Sequence, residues 1–262
     1  MDKTLHFLIA LLGGFLCSLS GRAQSLPADS LLTDSVFEAR MAASSADRFH
    51  ANHLIVPGAL VAVGAWGLAD GWWRDQSRHI TDDVNRWSGG RTNKVDGYLR
   101  FLPAAAYLGL EYLGAEPRHS LRERIVTGLV AAVATEAMVG GLKQVVKETR
   151  PDGSDRHSFP SGHAAIAFMG AELVRSEYGW GYGLGAYAVA CGVGVLRMYN
   201  GKHRLHDVLA GAGFGILGAR IGWWTQPLTK RIFKKNGGAD VALCPFYSST
   251  DKGFGGAMAV CF

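Results

Sequence analysis

The sequence predicts an all-α protein, a bundle of six helices followed by a short C-terminal β-hairpin. Six apolar segments rich in Ala, Leu, Gly and Val show no period-two alternation, which favours helices over strands. Small residues recur four positions apart, as at Gly211 and Gly215, and this spacing lets helices approach closely. After Gly237 and Gly238, two short runs of β-type residues flank a turn. With 262 residues, of which 48% are hydrophobic, the chain can bury a large core.

The predicted helices are separated by short connections, with one longer polar stretch after the first helix. They cover residues 53–69, 99–115, 124–146, 163–175, 179–196 and 206–224. The polar stretch, 70–97, holds Trp72, Trp73 and Trp87 among Arg and Asp residues, which is typical of a helix on a bilayer surface or of an ordinary surface helix. A spanning helix needs about 20 apolar residues. Only 53–69 and 179–196 approach that length without a charge.

Residues 1–23 have the pattern of a secretory signal peptide. Lys3 precedes an apolar run, Leu5–Leu19, and small residues precede Gln24. An uncleaved membrane anchor is the alternative interpretation. Residues 24–50 are then expected to be a polar N-terminal segment, and residues 51–228 the helical core.

Residues 229–262 are expected to be a basic linker and a short strand pair. A two-residue turn at Lys252 and Gly253 would place Cys244 opposite Cys261. In an oxidising compartment such a pair could form a disulfide.

Cations and a loop suited to phosphate lie between residues 143 and 197. Lys143, Arg150 and Arg197 carry donors that match phosphate oxygens. Ser161 and Gly162 stand where a loop is predicted to enter a helix, so free backbone N–H groups and the positive end of the helix dipole can face an anion. These features predict a phosphate-binding site.

Two histidines and a carboxylate supply the reactive groups. His203 and Asp207 are four residues apart, which on a helix would place them on one face, with the carboxylate holding one ring nitrogen. His203 would then be an oriented nucleophile. His163 is free to act as general acid to the leaving oxygen.

The predicted helices bring these groups together. Lys143 ends the third segment and His163 begins the fourth, while Arg197 follows the fifth and His203 precedes the sixth. If neighbouring helices are antiparallel, all of these residues meet at one end of the bundle.

The motifs Lys-x6-Arg-Pro, Pro-Ser-Gly-His and Arg-x5-His-x3-Asp, in this order, resemble the signature of the type 2 phosphatidic acid phosphatase superfamily, which also includes bacterial acid phosphatases and vanadium haloperoxidases. The resemblance covers residues 50–225. It implies a phosphohistidine at His203 and proton donation by His163. The matched positions are Lys143, Arg150, Ser161, Gly162, His163, Arg197, His203 and Asp207. Leu196 stands where the third motif of the family usually has Ser.

The favoured function is a metal-independent phosphatase that hydrolyses a phosphate monoester or pyrophosphate on a lipid, without a cofactor. The first alternatives are a soluble-type periplasmic acid phosphatase of broad specificity and a vanadium-dependent haloperoxidase. A metal hydrolase with His203, His206 and Asp207 as ligands and a non-catalytic phosphate-binding membrane protein are the others. A net charge of +5 suits anionic partners, but no nucleic-acid-binding module is present in the sequence.

The expected location is the bacterial cell envelope, in association with the membrane and with the site facing the periplasm. A cleaved signal followed by three full spans before Lys143 would put the site in the cytoplasm. The basic cluster Lys230–Lys235 instead places the opposite end there by the positive-inside rule. One of the first three segments is therefore expected not to cross.

Overall fold

The computed structural model describes residues 49–69, 71–89, 91–234, 240–248 and 253–261, with side chains up to residue 227. The predicted signal peptide and most of the predicted polar N-terminal segment lie outside these residues.

The core is helical, as predicted, with seven helices of eight residues or more in the described part of the chain. These are α1 (Ile55–Trp66), α2 (Trp72–Trp87), α3 (Leu102–Gly109), α4 (Leu121–Val146), α5 (Gly162–Tyr178), α6 (Trp180–Tyr199) and α7 (Leu205–Lys234). A single helical turn, Asp96–Leu99, precedes α3, and short 3₁₀ helices occupy Ala51–Leu54 and Leu110–Leu113.

The predicted number of six helices is wrong because part of the polar stretch forms a helix of its own. This helix, α2, buries the small polar side chains of Ser77 and Thr81 and exposes Trp72 and Trp87. The inner face of α2 is polar, so the helix lacks a continuous apolar run, and hydrogen bonds satisfy the polar groups on that face. The Thr81 hydroxyl, for example, accepts from the N–H of Leu205.

Helix α7 is the central element, and glycines bring three neighbours close to it. A Cβ added at Gly211 or Gly215 would lie 2.4 or 2.2 Å from a backbone oxygen of the α5 region. One at Gly213 would lie 2.7 Å from the α1 backbone, and one at Gly222 would lie 2.6 Å from the α4 backbone. The close contact predicted from the Gly211 and Gly215 spacing is thus confirmed.

The four long helices, α4 to α7, have their motif-bearing ends at the same end of the bundle. Helix α4 starts at a capping box made by Ser120 and Glu123 and ends at Lys147, whose φ of 50° stops the helix. The chain then crosses to Ser161 and enters α5, so the end of α4 and the start of α5 lie together. The same relation holds for α6 and α7, and the predicted convergence at one end of the bundle is confirmed.

The hydrophobic core lies on the side of α5 away from that end. It includes Tyr107 and Leu110 from the α3 region, Leu173 from α5, Val193 from α6 and Trp223 from α7, all of them buried. These contacts fix the relative positions of α5, α6 and α7, and most of the predicted site residues lie in these helices or directly before them.

The strands β1 (Asp240–Ser248) and β2 (Gly253–Cys261) pair antiparallel. Cys244 is opposite Ala257, and Cys261 is opposite Asp240, so the two cysteines are four positions apart along the ladder. The predicted register is wrong in this pairing, because four residues rather than two separate the strands. The pairing on which the predicted disulfide depends is therefore not the one in the structure.

Of the described residues, Leu121–Val146 form the one helix long and apolar enough to cross a membrane. Only 22% of its apolar window is buried. Ala51–Trp66 is apolar but shorter. The best candidate span is therefore α4 rather than the segments 53–69 and 179–196.

Candidate active site

The start of α5 forms one wall of the candidate site. Ser161 is the N-cap residue, and its N–H donates to the carbonyl of Asp207 at 3.0 Å. Gly211 lets α7 approach this loop, since any side chain there would meet the carbonyl of Ser161. The Ser161 hydroxyl is buried and has no hydrogen-bond partner in the protein. It is therefore available to an anion at the helix N-terminus.

Three predicted cations surround this wall. The ammonium of Lys143 lies 3.7 Å from the position that a Cβ of Gly162 would take. Arg150 donates from Nε to Asp155 at 2.7 Å, and its remaining N–H groups can bind another oxyanion. Arg197 is buried at the end of α6. The positive charge is thus concentrated beside the start of α5.

Asp96 orients Arg197 and was not predicted from the sequence. Its carboxylate accepts from Arg197 at 2.6 Å and from the amide of Asn200 at 3.2 Å, and it is buried. Asn200 also donates to the carbonyl of Asn93 and accepts from its N–H. This network fixes the guanidinium plane of Arg197 and offsets part of its charge.

His203 lies in the loop before α7, fully buried. Its Nδ1 is 3.7 Å from Oδ2 of Asp207, longer than a hydrogen bond. The expectation that both residues lie on one helix is wrong, because α7 begins only at Leu205. Burial lowers the pKa of His203 to about 4, although the nearby carboxylate opposes this shift. The imidazole is therefore neutral at neutral pH, as a nucleophile must be.

Asp207 is held by two loops, the one before α5 and the one before its own helix. Its Oδ2 accepts from the hydroxyl of Ser158 at 2.6 Å and from the N–H of Arg204 at 2.8 Å. The second contact is one half of a capping box, because Arg204 precedes the helix and Asp207 is its third residue. Burial alone would raise the pKa of Asp207, but His203, His206 and Ser158 hold it below its usual range.

His163 is in the first turn of α5, next to a cation that the sequence did not predict. A guanidinium nitrogen of Arg100 lies 3.4 Å from Nδ1 of His163. Burial lowers the pKa of His163 to about 2, and the charges of Arg197, Arg100, His203 and Lys143 act in the same direction. If Arg100 donates to Nδ1, the ring proton is on Nε2, the nitrogen left to face a ligand.

A second layer of polar side chains supports Asp207 from behind. His206 is buried, with Nδ1 2.8 Å from the hydroxyl of Ser77 and Nε2 3.2 Å from Glu148. Arg204 donates to the same carboxylate at 3.1 Å. His206 and Arg204 thus both tie α7 to the 148–158 loop.

The structure brings together a different possible metal-ligand set from the predicted one. Glu148, His206 and Asp207 each offer an atom within 4.8 Å of the others. Arg204 pairs with Glu148 at 3.1 Å, so part of the negative charge of this cluster is balanced within the protein. His203 is not one of these ligands.

The comparisons with known proteins agree with this geometry. Residues 125–231 match the PAP2 superfamily. The match covers 107 of the 262 residues, and this part of the chain is similar to that superfamily. All eight residues predicted to form the site lie within the PAP2 match.

Two curated proteins are similar to this chain. The Lipid A 1-phosphatase of Porphyromonas gingivalis is 34% identical over 149 residues, 55% of this chain and 33% of that protein. The bacitracin transport permease protein BcrC of Bacillus licheniformis is 36% identical over 74 residues, 27% of this chain and 34% of that protein. The chain thus spans about a third of the length of each relative. No solved structure matches it significantly.

Proposed function

We propose that the protein is a metal-independent phosphatase that removes phosphate from a monoester or pyrophosphate group of a lipid through a phosphohistidine at His203. The observation that carries the proposal is a buried, neutral His203 at the end of the bundle where Lys143, Arg150, Arg197 and the start of α5 meet. The similarity to a lipid A phosphatase supports a lipid phosphate as substrate.

In the first step Nε2 of His203 attacks phosphorus in line with the leaving oxygen. The P–N bond forms as the P–O bond breaks, and His163 gives its proton to the departing oxygen. Asp207 lies on the Nδ1 side of His203 and stabilises the positive charge that develops on the ring. The three cations and the N–H groups at the start of α5 bind the equatorial oxygens.

In the second step water attacks phosphorus and His163 takes its proton. Free phosphate leaves, and His203 returns to the neutral form. No metal or cofactor takes part in either step.

A lipid substrate is supported by the exposed apolar surface. Trp66, Trp72, Trp87, Tyr98 and Tyr112 each expose more than half of their surface. Helix α2 carries two of these residues and is hydrogen-bonded to the start of α7, close to His203. Tryptophan is typical of the membrane–water interface, so this arrangement would hold the site at the level of lipid head groups.

We further propose that the site end faces the periplasm. The support is the secretory pattern of residues 1–23 and the basic cluster Lys230–Lys235, which begins on the last helix, beyond the end that carries the site. Single cysteines replacing exposed Ser154 at the site end and exposed Glu116 at the other end test this in an otherwise cysteine-free active variant. In cells with a permeabilised outer membrane, an impermeant thiol reagent should label only position 154. Labelling of 116 alone would reverse the orientation.

The phosphohistidine is the decisive test of mechanism. Acid-quenched enzyme should carry acid-labile, base-stable label from radioactive substrate, and His203→Ala should lose both label and turnover. His79→Ala, on the exposed face of α2, is the matched control and should keep both. Label that persists in His203→Ala would exclude this nucleophile.

Substrate preference distinguishes the lipid phosphatase from the soluble-type acid phosphatase. Purified protein in detergent should turn over one of lipid A, undecaprenyl pyrophosphate, phosphatidylglycerol phosphate or phosphatidate faster than a water-soluble phosphate ester. Equal turnover of all of them would favour the broad-specificity enzyme. Halide oxidation with vanadate would favour the haloperoxidase.

A further inference from the structure

A second cationic cavity lies far from His203. It has a volume of about 190 Å³, and its walls include His50, His53, Arg118, Arg175, Arg220 and Trp223. Trp223 contributes an apolar wall, while the other five side chains present nitrogen.

The cavity is at the opposite end of the bundle from the candidate active site. Along α5, Arg175 follows His163 by twelve residues, or about 18 Å of helix. Along α7, Arg220 follows Asp207 by thirteen residues, or about 20 Å. Because both helices start at the active site, the two locations cannot share one bound group.

The positive charge of the cavity is only partly balanced. The buried carboxylate of Glu172 accepts from Arg175 at 2.6 and 2.8 Å, and it lies 2.7 Å from Arg220. It also accepts from the hydroxyl of Tyr187 at 2.6 Å. One carboxylate thus serves two guanidinium groups. Arg118 adds a third, which donates to the carbonyl of Ser176 at 3.1 Å and so brings no compensating charge.

Two buried side-chain nitrogens at the cavity have no hydrogen-bond partner in the protein. They are Nε of Arg220 and Nδ1 of His53. A buried polar nitrogen without a partner costs free energy unless a ligand or water satisfies it. Burial lowers the pKa of His53, and Arg220 adds to this effect, as expected where positive charge is in excess.

We propose that this cavity binds a phosphate group, either that of a phosphomonoester lipid head group or inorganic phosphate. Three guanidinium groups match the three terminal oxygens of such a group better than the two of a carboxylate. The cavity is smaller than the roughly 300–1,000 Å³ typical of pockets that enclose whole ligands. It therefore admits the ionic group, with any chain attached to it outside.

Binding of radiolabelled inorganic phosphate to the full-length protein in detergent tests the proposal. The wild type should bind two equivalents, one at each end. Arg118→Gln and Arg220→Gln should each weaken one equivalent at least tenfold, while Lys143→Ala should weaken the other. Arg78→Gln, an exposed residue on α2, removes the same charge elsewhere and should leave both equivalents unchanged.

The variants also separate this proposal from the catalytic one. Arg118 is exposed and makes one contact with a backbone carbonyl, so Arg118→Gln should fold and keep normal turnover. Loss of an equivalent in Arg118→Gln but not in Lys143→Ala would support the cavity while contradicting the phosphate-binding role of Lys143. Absence of any phosphate equivalent that Arg118→Gln and Arg220→Gln weaken would overturn the proposal.

A competition experiment in the His203→Ala background, where lipid is not hydrolysed, identifies the source of the phosphate group. Short-chain phosphatidate that displaces the Arg118-dependent equivalent far better than glycerol phosphate identifies a lipid head group. Equal displacement by both identifies a site for soluble phosphate. Failure of both to displace this equivalent would contradict a phosphomonoester site.

Discussion

His163 should take up a proton when a dianion binds. In the free protein, burial and four surrounding positive or partly positive groups lower its pKa to about 2, so the ring is neutral near pH 6. A general acid must be protonated when the leaving group departs. The proposed role therefore requires the substrate itself to raise this pKa.

The size of the shift follows from Coulomb's law. Two negative charges at about 5 Å, with an effective dielectric constant of about 20, contribute roughly 6–7 kcal/mol, which is about five pKa units. The pKa would then rise from about 2 to roughly 7. Since the pKa is higher in the complex, protons are taken up at any pH between the two values, and at pH 6 the uptake should approach one.

Sulfate is a suitable probe because it remains a dianion across this range. Calorimetric titration at pH 6, in two buffers that differ in ionisation enthalpy, gives the number of protons taken up. We expect His163→Asn to take up about one proton less than the wild type. Comparing these two proteins at the same sulfate concentration cancels uptake at other histidines. The same uptake in both would refute the proposed protonation of His163 by the bound anion.

Three further predictions concern positioning, packing and metal dependence. Asp96→Asn should cost roughly 3–5 kcal/mol of stability, because it leaves the buried guanidinium of Arg197 without its charged partner, and kcat should fall with it. Gly215→Ala should destabilise the protein by roughly 1–3 kcal/mol, because the new Cβ would lie 2.2 Å from the carbonyl oxygen of Ala165. Gly141→Ala places its Cβ with no other atom within 4 Å and should instead stabilise α4 by roughly 0.5–1 kcal/mol. Turnover should persist in excess EDTA.

Chemical unfolding in detergent and steady-state kinetics check these predictions. Asp83→Asn, on the exposed face of α2, is the matched control for Asp96→Asn and should change stability little. Equal effects of these two substitutions would show that Asp96 does not hold Arg197. A stabilising Gly215→Ala would contradict the close packing of α7 on α5. Activity lost in EDTA and restored by one metal ion would favour a metal hydrolase.

The sequence was most informative where chemistry depends on short spacing and helix polarity. The order of the motifs, together with the alternation of helix direction, was enough to predict that Lys143, His163, Arg197 and His203 meet. Asp96 and Arg100 were not predicted, because their partners are 101 and 63 residues away in the sequence. A lone carboxylate or guanidinium in a polar stretch carries no spacing signal.

Two sequence predictions failed where the exact position of an element boundary mattered. The four-residue spacing predicted that His203 and Asp207 lie on one face of a helix, but the helix begins between them. Asp207 is the third residue of this helix, and its carboxylate accepts a hydrogen bond from the N–H of Arg204. This acidic residue near the start of a helix was the available signal. The strand register failed similarly, since a longer connection shifts every pair, including that of Cys244.

The glycine contacts of α7 also determine how the protein should tolerate mutation. In a selection for activity over all single substitutions, intolerance on α7 should follow the positions that touch α1, α4 and α5 rather than distance from the chemistry. Gly222 lies about 23 Å along the helix from Asp207, yet a side chain there would meet the α4 backbone. Helix α7 would shift as a rigid body, and the carboxylate of Asp207 would move with it. A loss of turnover on substitution of Gly222 would therefore reflect a displacement of α7, not a catalytic role of that residue.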